Sequence, residues 1–344
     1  MSPRLKKILK ALGYPVFYLA VFSIFLIVTF PYDRLKERVI VEFNARQPAG
    51  NGARLSIDDM SGYWLSGVEA EGIKLTPAPE PPDEDGKVKE PKPLTIDEAH
   101  ARVSILRLLV GTLHVSFAAD AFGGEISGYT SDANETRTIE VELDGVNVGD
   151  VPLLTNAVGL PMTGALSGTI DLKLPESKLS KAEGKIDLKI TDLSVGDGKA
   201  KIRNTIALPK LDAGEMTFTA EATDGRLKIE KFSAKGKDIE VVADGSVRLR
   251  DPMDQSLAEL SLRFAFSDAY KNKNDITRGL FGAPGSSMPG LFDLDPKTKR
   301  AKRPDGFYAW RLVGPLGRME PQPAPMGASG SAAPSRSMRG FSPR

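Results

Sequence analysis

Cysteine is absent from this chain, and histidine occurs only twice, as His100 and His114. The first absence excludes thiol catalysis, thiolate metal sites and disulfides together. It leaves the compartment open, because a periplasmic protein can do without cysteine. The scarcity of histidine excludes a histidine-rich metal centre. Net charge is missing as well: 46 Lys+Arg stand against 45 Asp+Glu in 344 residues. Nothing in that balance calls for nucleic acid or an acidic substrate. Neither a Gly-x-Ser-x-Gly elbow nor a phosphate-cradling Gly-x-x-x-x-Gly-Lys-Ser/Thr loop occurs.

The remaining polar candidates carry little chemistry. His100 follows Asp97 and Glu98, and His114 sits in an alternating run, so each reads as a solvated or packed side chain. Asp58-Asp59 reads as a turn, and Asp83-Glu84-Asp85 falls in a proline-rich stretch. Neither has the spaced ligands of a calcium loop. Asn134-Glu135-Thr136 matches a glycosylation acceptor, which matters only in a secretory eukaryotic setting. The basic run Lys297–Arg303 reads as a solvated loop, with contact to anionic headgroups as the sharper alternative. The expected sets of catalytic, cofactor-binding and metal-binding residues are therefore empty, and the chain reads as a non-enzyme without cofactors.

The N-terminus is more informative. Residues 1–11 carry Arg4, Lys6, Lys7 and Lys10 without an acid. Leu12 to Phe30 follows with no charge, and Pro31 ends it. Nineteen helical residues rise about 28 Å, near the roughly 30 Å of a bilayer's hydrocarbon. Tyr14, Tyr18 and Tyr32 lie near the two ends, where amphipathic rings prefer the interface. The basic flank keeps the N-terminus cytoplasmic. Residues 12–31 thus read as a single transmembrane helix. A cleaved signal peptide is the main rival, but Ile27-Val28-Thr29-Phe30-Pro31-Tyr32 is too bulky for a cleavage site. A buried soluble helix is the other. Asp33–Asn44 stays helical in pattern, so a kink or restart is expected at Pro31.

Beyond Arg46 the period changes to two. Leu55, Ile57 and Met60 begin it, and Trp64, Val68, Ile73 and Leu75 follow. Residues 76–93 form a proline-rich loop. Ala99–Val103 and His114–Asp120 alternate, with a helical turn or bend over Ile105–Gly111 between them. A glycine turn lies at Gly123-Gly124, within Phe122–Gly128. The run Ile139–Asp150 aligns with Ile186–Asp197, apolar residues coinciding and Gly-Asp closing both. Gly168–Leu174 echoes Gly184–Ile190, and Gly245–Leu249 is a weaker third copy. Met216–Ala222, Leu227–Phe232 and Leu257–Phe266 continue the pattern. Residues 268–306 read as a long loop, Phe307–Val313 as a last strand, and 319–344 as a disordered tail.

The expected fold is mainly β: one transmembrane helix, then a β-rich body over 32–318. Its strands build an elongated, curved antiparallel sheet of repeated units, as an open groove, a sandwich or a partial barrel. An open sheet with an apolar concave side suits lipid chains; a closed one has an ordinary core.

Three places carry a family resemblance. They are the basic start with its single anchor; Val103-Ser-Ile-Leu-Arg-Leu-Leu-Val-Gly111 with Val115-Ser-Phe117 and Phe122-Gly-Gly-Glu-Ile-Ser-Gly128; and Phe307-Tyr-Ala-Trp-Arg-Leu-Val-Gly-Pro-Leu-Gly317. Over roughly residues 1–320 the chain resembles the type II secretion system protein N (GspN) family, in its myxobacterial branch. The stretches 76–93 and beyond 319 depart from it. The resemblance implies a non-catalytic inner-membrane component with a periplasmic β-rich domain, whose partners are other inner-membrane secretion components meeting its exposed strand edges. The same strand-and-glycine pattern is similar to AsmA-like proteins. That implies membrane lipid as the partner, bound or transferred along an apolar groove between inner and outer membranes.

Overall fold

A computed structural model describes residues 28–45, 53–77, 93–151, 159–198, 209–282 and 290–324. It adds scattered positions from 13 to 25, residues 154–155, and the backbone of 201–202 and 206–207. The basic start 1–11, most of the loop 76–93 and the tail beyond 324 lie outside these residues.

The described positions from 13 to 29 are helical, and their side chains are exposed, Phe17, Phe22, Ile24 and Phe25 included. The helical pattern stops at Phe30-Pro31 and resumes as α1 (Tyr32–Ala45). This is the restart a proline without an N–H imposes. No helix among the described residues is long and apolar enough to cross a membrane. The half-buried side of α1 is Tyr32, Leu35, Lys36, Ile40, Phe43 and Asn44, at helical spacing.

That side lies along the first strands, β1 (Arg54–Ser56) and β2 (Asp59–Tyr63), which both pair with β3 (Gly67–Thr76). Lys36 Nζ donates to the Asp58 carbonyl at 3.1 Å, and Asn44 exchanges hydrogen bonds with the Leu55 backbone. The chain continues as β4 (Leu94–Val103), α2 (Ile105–Leu109), β5 (Leu113–Ala121), β6 (Gly124–Ala133), β7 (Thr136–Asn147), β8 (Met162–Pro175) and β9 (Glu183–Val195). A separate two-stranded ribbon, β10 (Lys201–Ile202) and β11 (Ile206–Ala207), precedes β12 (Leu211–Thr223), β13 (Arg226–Lys235), β14 (Ile239–Arg248) and β15 (Leu257–Phe266). Four short helices follow: α3 (Asp268–Lys271), α4 (Asp275–Phe281), α5 (Leu291–Leu294) and α6 (Pro296–Ala301). The last strands are β16 (Tyr308–Pro315) and β17 (Glu320–Pro323).

Among the described residues, all strands apart from the small ribbon join one antiparallel sheet of 15; β1 and β2 both pair with β3, and from β3 onward each strand of the sheet pairs with the next one along the chain. The sheet does not close on itself. The expectation of an antiparallel sheet that stays open is met. One edge is lined by α1. The other is β17, in which Pro321 and Pro323 lack N–H donors. Both edges are thus blunted against strand addition.

Two segments differ from the sequence reading. The described residues of 268–306 are not one long loop: they hold α3 to α6. Ser267 caps α3 through Tyr270 N, Asn274 and Thr277 form a capping box on α4, and Asp295 caps α6 through Thr298 N. The basic run Lys297–Arg303 consequently begins inside α6. Phe307–Val313 is not the last strand either. The outer side of β16 pairs Trp310 with Pro323 and Leu312 with Pro321, which draws the start of the expected tail into β17.

The internal repeat is geometric. In β7 the register shifts after Leu143, where Gly145 has φ +65°; in β9 the register shifts at the matching place, where Asp192 has φ +53°. Gly168 and Gly184, aligned in the shorter echo, have φ of +143° and +141°. A Cβ on either would run into a carbonyl of the next strand, of Asp187 or Asp171. Glycine is needed there because the two backbones approach too closely for any side chain.

Candidate functional site

Period-two alternation plus antiparallel register sends apolar residues of successive strands to one side. Val141 faces Ile170, which faces Ile186, which faces Ala220. Phe218 faces Phe232, Phe232 faces Ala243, and Ala243 faces Leu262. The same side continues through Trp310 in β16 and, in the other direction, through Phe117, Ala101 and Val68. The opposite side is charged: Lys185, Asp187 and Lys189 alternate along β9, and Lys189 pairs with Glu215 of β12 at 3.0 Å.

The apolar side is packed at both strand ends and thinner between them. At one end Val146, Val148, Leu166, Ile190, Leu193, Leu211 and Tyr270 form a buried cluster, with Phe266 and Phe281 against it. The helices α3, α4 and α5 supply its aromatic lid through Tyr270, Phe281 and Phe292. Phe266 lies 5.7 Å from Tyr270 and 4.8 Å from Phe281, and Phe292 lies 5.0 Å from Tyr308. The Tyr270 hydroxyl donates to the Pro209 carbonyl at 2.9 Å, and the Tyr308 hydroxyl donates to Asp293 at 3.1 Å. Burial raises the Tyr270 phenol to about 12, with the Asp238 charge adding to it. Burial also raises Tyr308, followed by Asp293. Both rings are held neutral, as buried phenols with satisfied hydroxyls should be.

At the other end, Leu174, Ala182, Ala222, Val247, Leu249 and Ala258 make a second cluster under the turns. Between the clusters Val141, Ile170, Ile186, Phe218, Ile229, Phe232 and Leu262 belong to neither and are only half-buried. Phe218 and Phe232 meet edge to face at 6.2 Å in this band. It can do no bond chemistry; it can hold apolar matter.

The residues singled out by sequence do not converge. His100 stacks on Tyr63 at 4.3 Å, whereas His114 lies 2.6 Å from Arg107 Nη1 and 4.8 Å from the Tyr129 ring. Partial burial lowers the His114 pKa, and the Arg107 charge adds to this. Asp58 sits in a bend and pairs with Lys74 at 2.9 Å, as a turn residue does. Asn134 and Glu135 have φ of +49° and +62° in the β6–β7 turn. Asp83–Asp85 lies outside the described residues. Among the described residues no group of three acidic or histidine side chains could hold a metal ion. Sequence reasoning missed the lid aromatics Tyr270, Phe281 and Phe292, although the capping residues Ser267 and Asn274 signalled helices there. No family model, no curated protein and no solved structure matches this chain.

Proposed function

We propose that this protein binds lipid acyl chains on the apolar side of its open sheet, in the manner expected of an AsmA-like protein held at a membrane by residues 12–31. The observation that carries the reading is the half-buried band Ile170–Ile186–Phe218–Phe232, apolar without interruption yet outside both packed clusters. A sheet that only needed a core would bury this band as it buries Leu166 and Leu174. The exposed apolar side chains of the N-terminal helical segment support the anchor, since a helix apolar on all sides belongs in lipid. The test uses a photoactivatable fatty acid incorporated in cells, crosslinking to the full chain, and peptide mapping by mass spectrometry. Labelling around Ile170, Ile186 and Phe218 is expected. Labelling confined to residues 12–31 would defeat the proposal.

A second reading keeps the secretion resemblance: an inner-membrane component whose periplasmic body meets other secretion proteins. What favours it is that Ile105–Val110, within the segment carrying the resemblance, is exposed rather than packed. Deletion should then impair export of folded exoproteins; unchanged export would count against it.

A further inference from the structure

The β2–β3 turn and α2 expose more large apolar surface than any other described part of the body. Trp64 is 71% exposed, Leu106 80%, Leu109 78% and Val110 79%, with Leu65 and Leu108 also exposed. The two segments are fastened to each other. Ser66 Oγ donates to the Val103 carbonyl at 2.6 Å, and Val103 N donates to the Ser66 carbonyl at 3.2 Å. They therefore form one patch. Trp64 also has φ +52°, an unfavourable backbone for a bulky residue, and it leaves the indole in solvent. Arg107 is the sole charged residue from Val103 to Leu113.

The patch lies where the N-terminal apolar segment meets the body. That segment ends at Phe30, whose ring lies 4.8 Å from Tyr32. The Tyr32 phenol fills the space beside Gly62, two residues before Trp64. From there α1 runs away from the patch, meeting Asp58 with Lys36 and Leu55 with Asn44. With residues 12–30 in a bilayer, the Trp64 turn and α2 are the sheet elements nearest its surface. Tryptophan prefers that interface, and Arg107 suits anionic headgroups.

We propose that Trp64–Leu65 and Ile105–Val110 insert into the headgroup region of the membrane that holds the N-terminal helix, giving the sheet a second membrane contact beside its anchor. The inference rests on the reading of residues 12–31 as an anchor. A turn, the short helix α2 and the anchor helix at the same corner fix the sheet's tilt, which a single helix with a proline break does not.

The test uses the full chain with Trp310→Phe, which leaves Trp64 as its one tryptophan. It is reconstituted in vesicles of phosphatidylethanolamine with phosphatidylglycerol as minor lipid, with or without a nitroxide near the headgroup. The expected result is flotation with the vesicles, a blue-shifted Trp64 emission, and quenching of about twofold or more by the nitroxide. Leu106→Asp with Leu109→Asp, at positions that pack on nothing, should abolish the quenching while flotation persists. Flotation with Trp64 open to aqueous iodide overturns the proposal and leaves the anchor standing. A shifted emission without lipid quenching overturns it in favour of a protein contact. Failure to float defeats the anchor and the proposal together.

Discussion

Two helical insertions interrupt the sheet, and they solve opposite problems. Between β15 and β16, α3 to α6 fold back so that Tyr270 is fully buried and Thr277 and Thr298 are covered. The first turns of α3, α4 and α6 are capped by Ser267, Asn274 and Asp295. Between β4 and β5, α2 has no buried residue, and its N-cap Ser104 makes no side-chain hydrogen bond. A five-residue helix without caps or packing has little to stabilise it in water. The first insertion buries Tyr270 and Leu280, although Leu291 and Leu294 stay exposed; the second buries none of its leucines.

The largest expected effect is on stability at the packed insertion. Tyr270→Ala removes a buried ring and its hydroxyl bond to Pro209, and should cost about 4 kcal/mol in urea unfolding. Leu106→Ala should change stability by no more than about 0.5 kcal/mol. Equal losses at the two sites would erase the contrast between the insertions.

Capping gives the next largest difference. Asn274→Ala opens the box on α4 and should cost about 1 kcal/mol, whereas Ser104→Ala, with no cap bond to lose, should be nearly silent by the same measurement.

Alkaline pH sharpens the comparison further. Tyr270 ionises near 12 in the folded protein against an ordinary 10, so burying it neutral contributes stability in full below pH 10. That contribution is lost as pH rises through about 12. Tyr270→Phe should flatten this part of the alkaline unfolding profile followed by circular dichroism. The smallest effect is at α2. Arg107→Gln should move His114 part of the way back toward its ordinary pKa in an NMR titration, because burial is the larger cause of its depression. Full restoration would mean that Arg107, and not burial, sets that value.

What was legible in the sequence follows from the range of the forces involved. Alternation in Ile139–Leu143 and Ile186–Ile190 depends only on which side of a strand is wet, so the apolar side could be read residue by residue. The aligned positions of Gly145 and Asp192 bear out the repeat in backbone geometry. Openness was not legible, because it depends on whether strands more than 200 residues apart meet, which no local pattern encodes. The helices α3 to α6 were hidden by their brevity. None exceeds seven residues, too few for a helical period to show, and their caps are residues that also favour turns. The apolar band was therefore foreseeable, but the aromatic lid at its end was not.

The order of the strands has a consequence of its own. Each large strand after β3 pairs first with the one made just before it. A chain delivered N-terminus first can therefore assemble hairpin by hairpin, every new strand finding its docking edge already in place. Such local pairing keeps loop-closure costs small. It also makes sheet length an easy quantity to vary, since adding or removing a hairpin requires no rethreading of the rest.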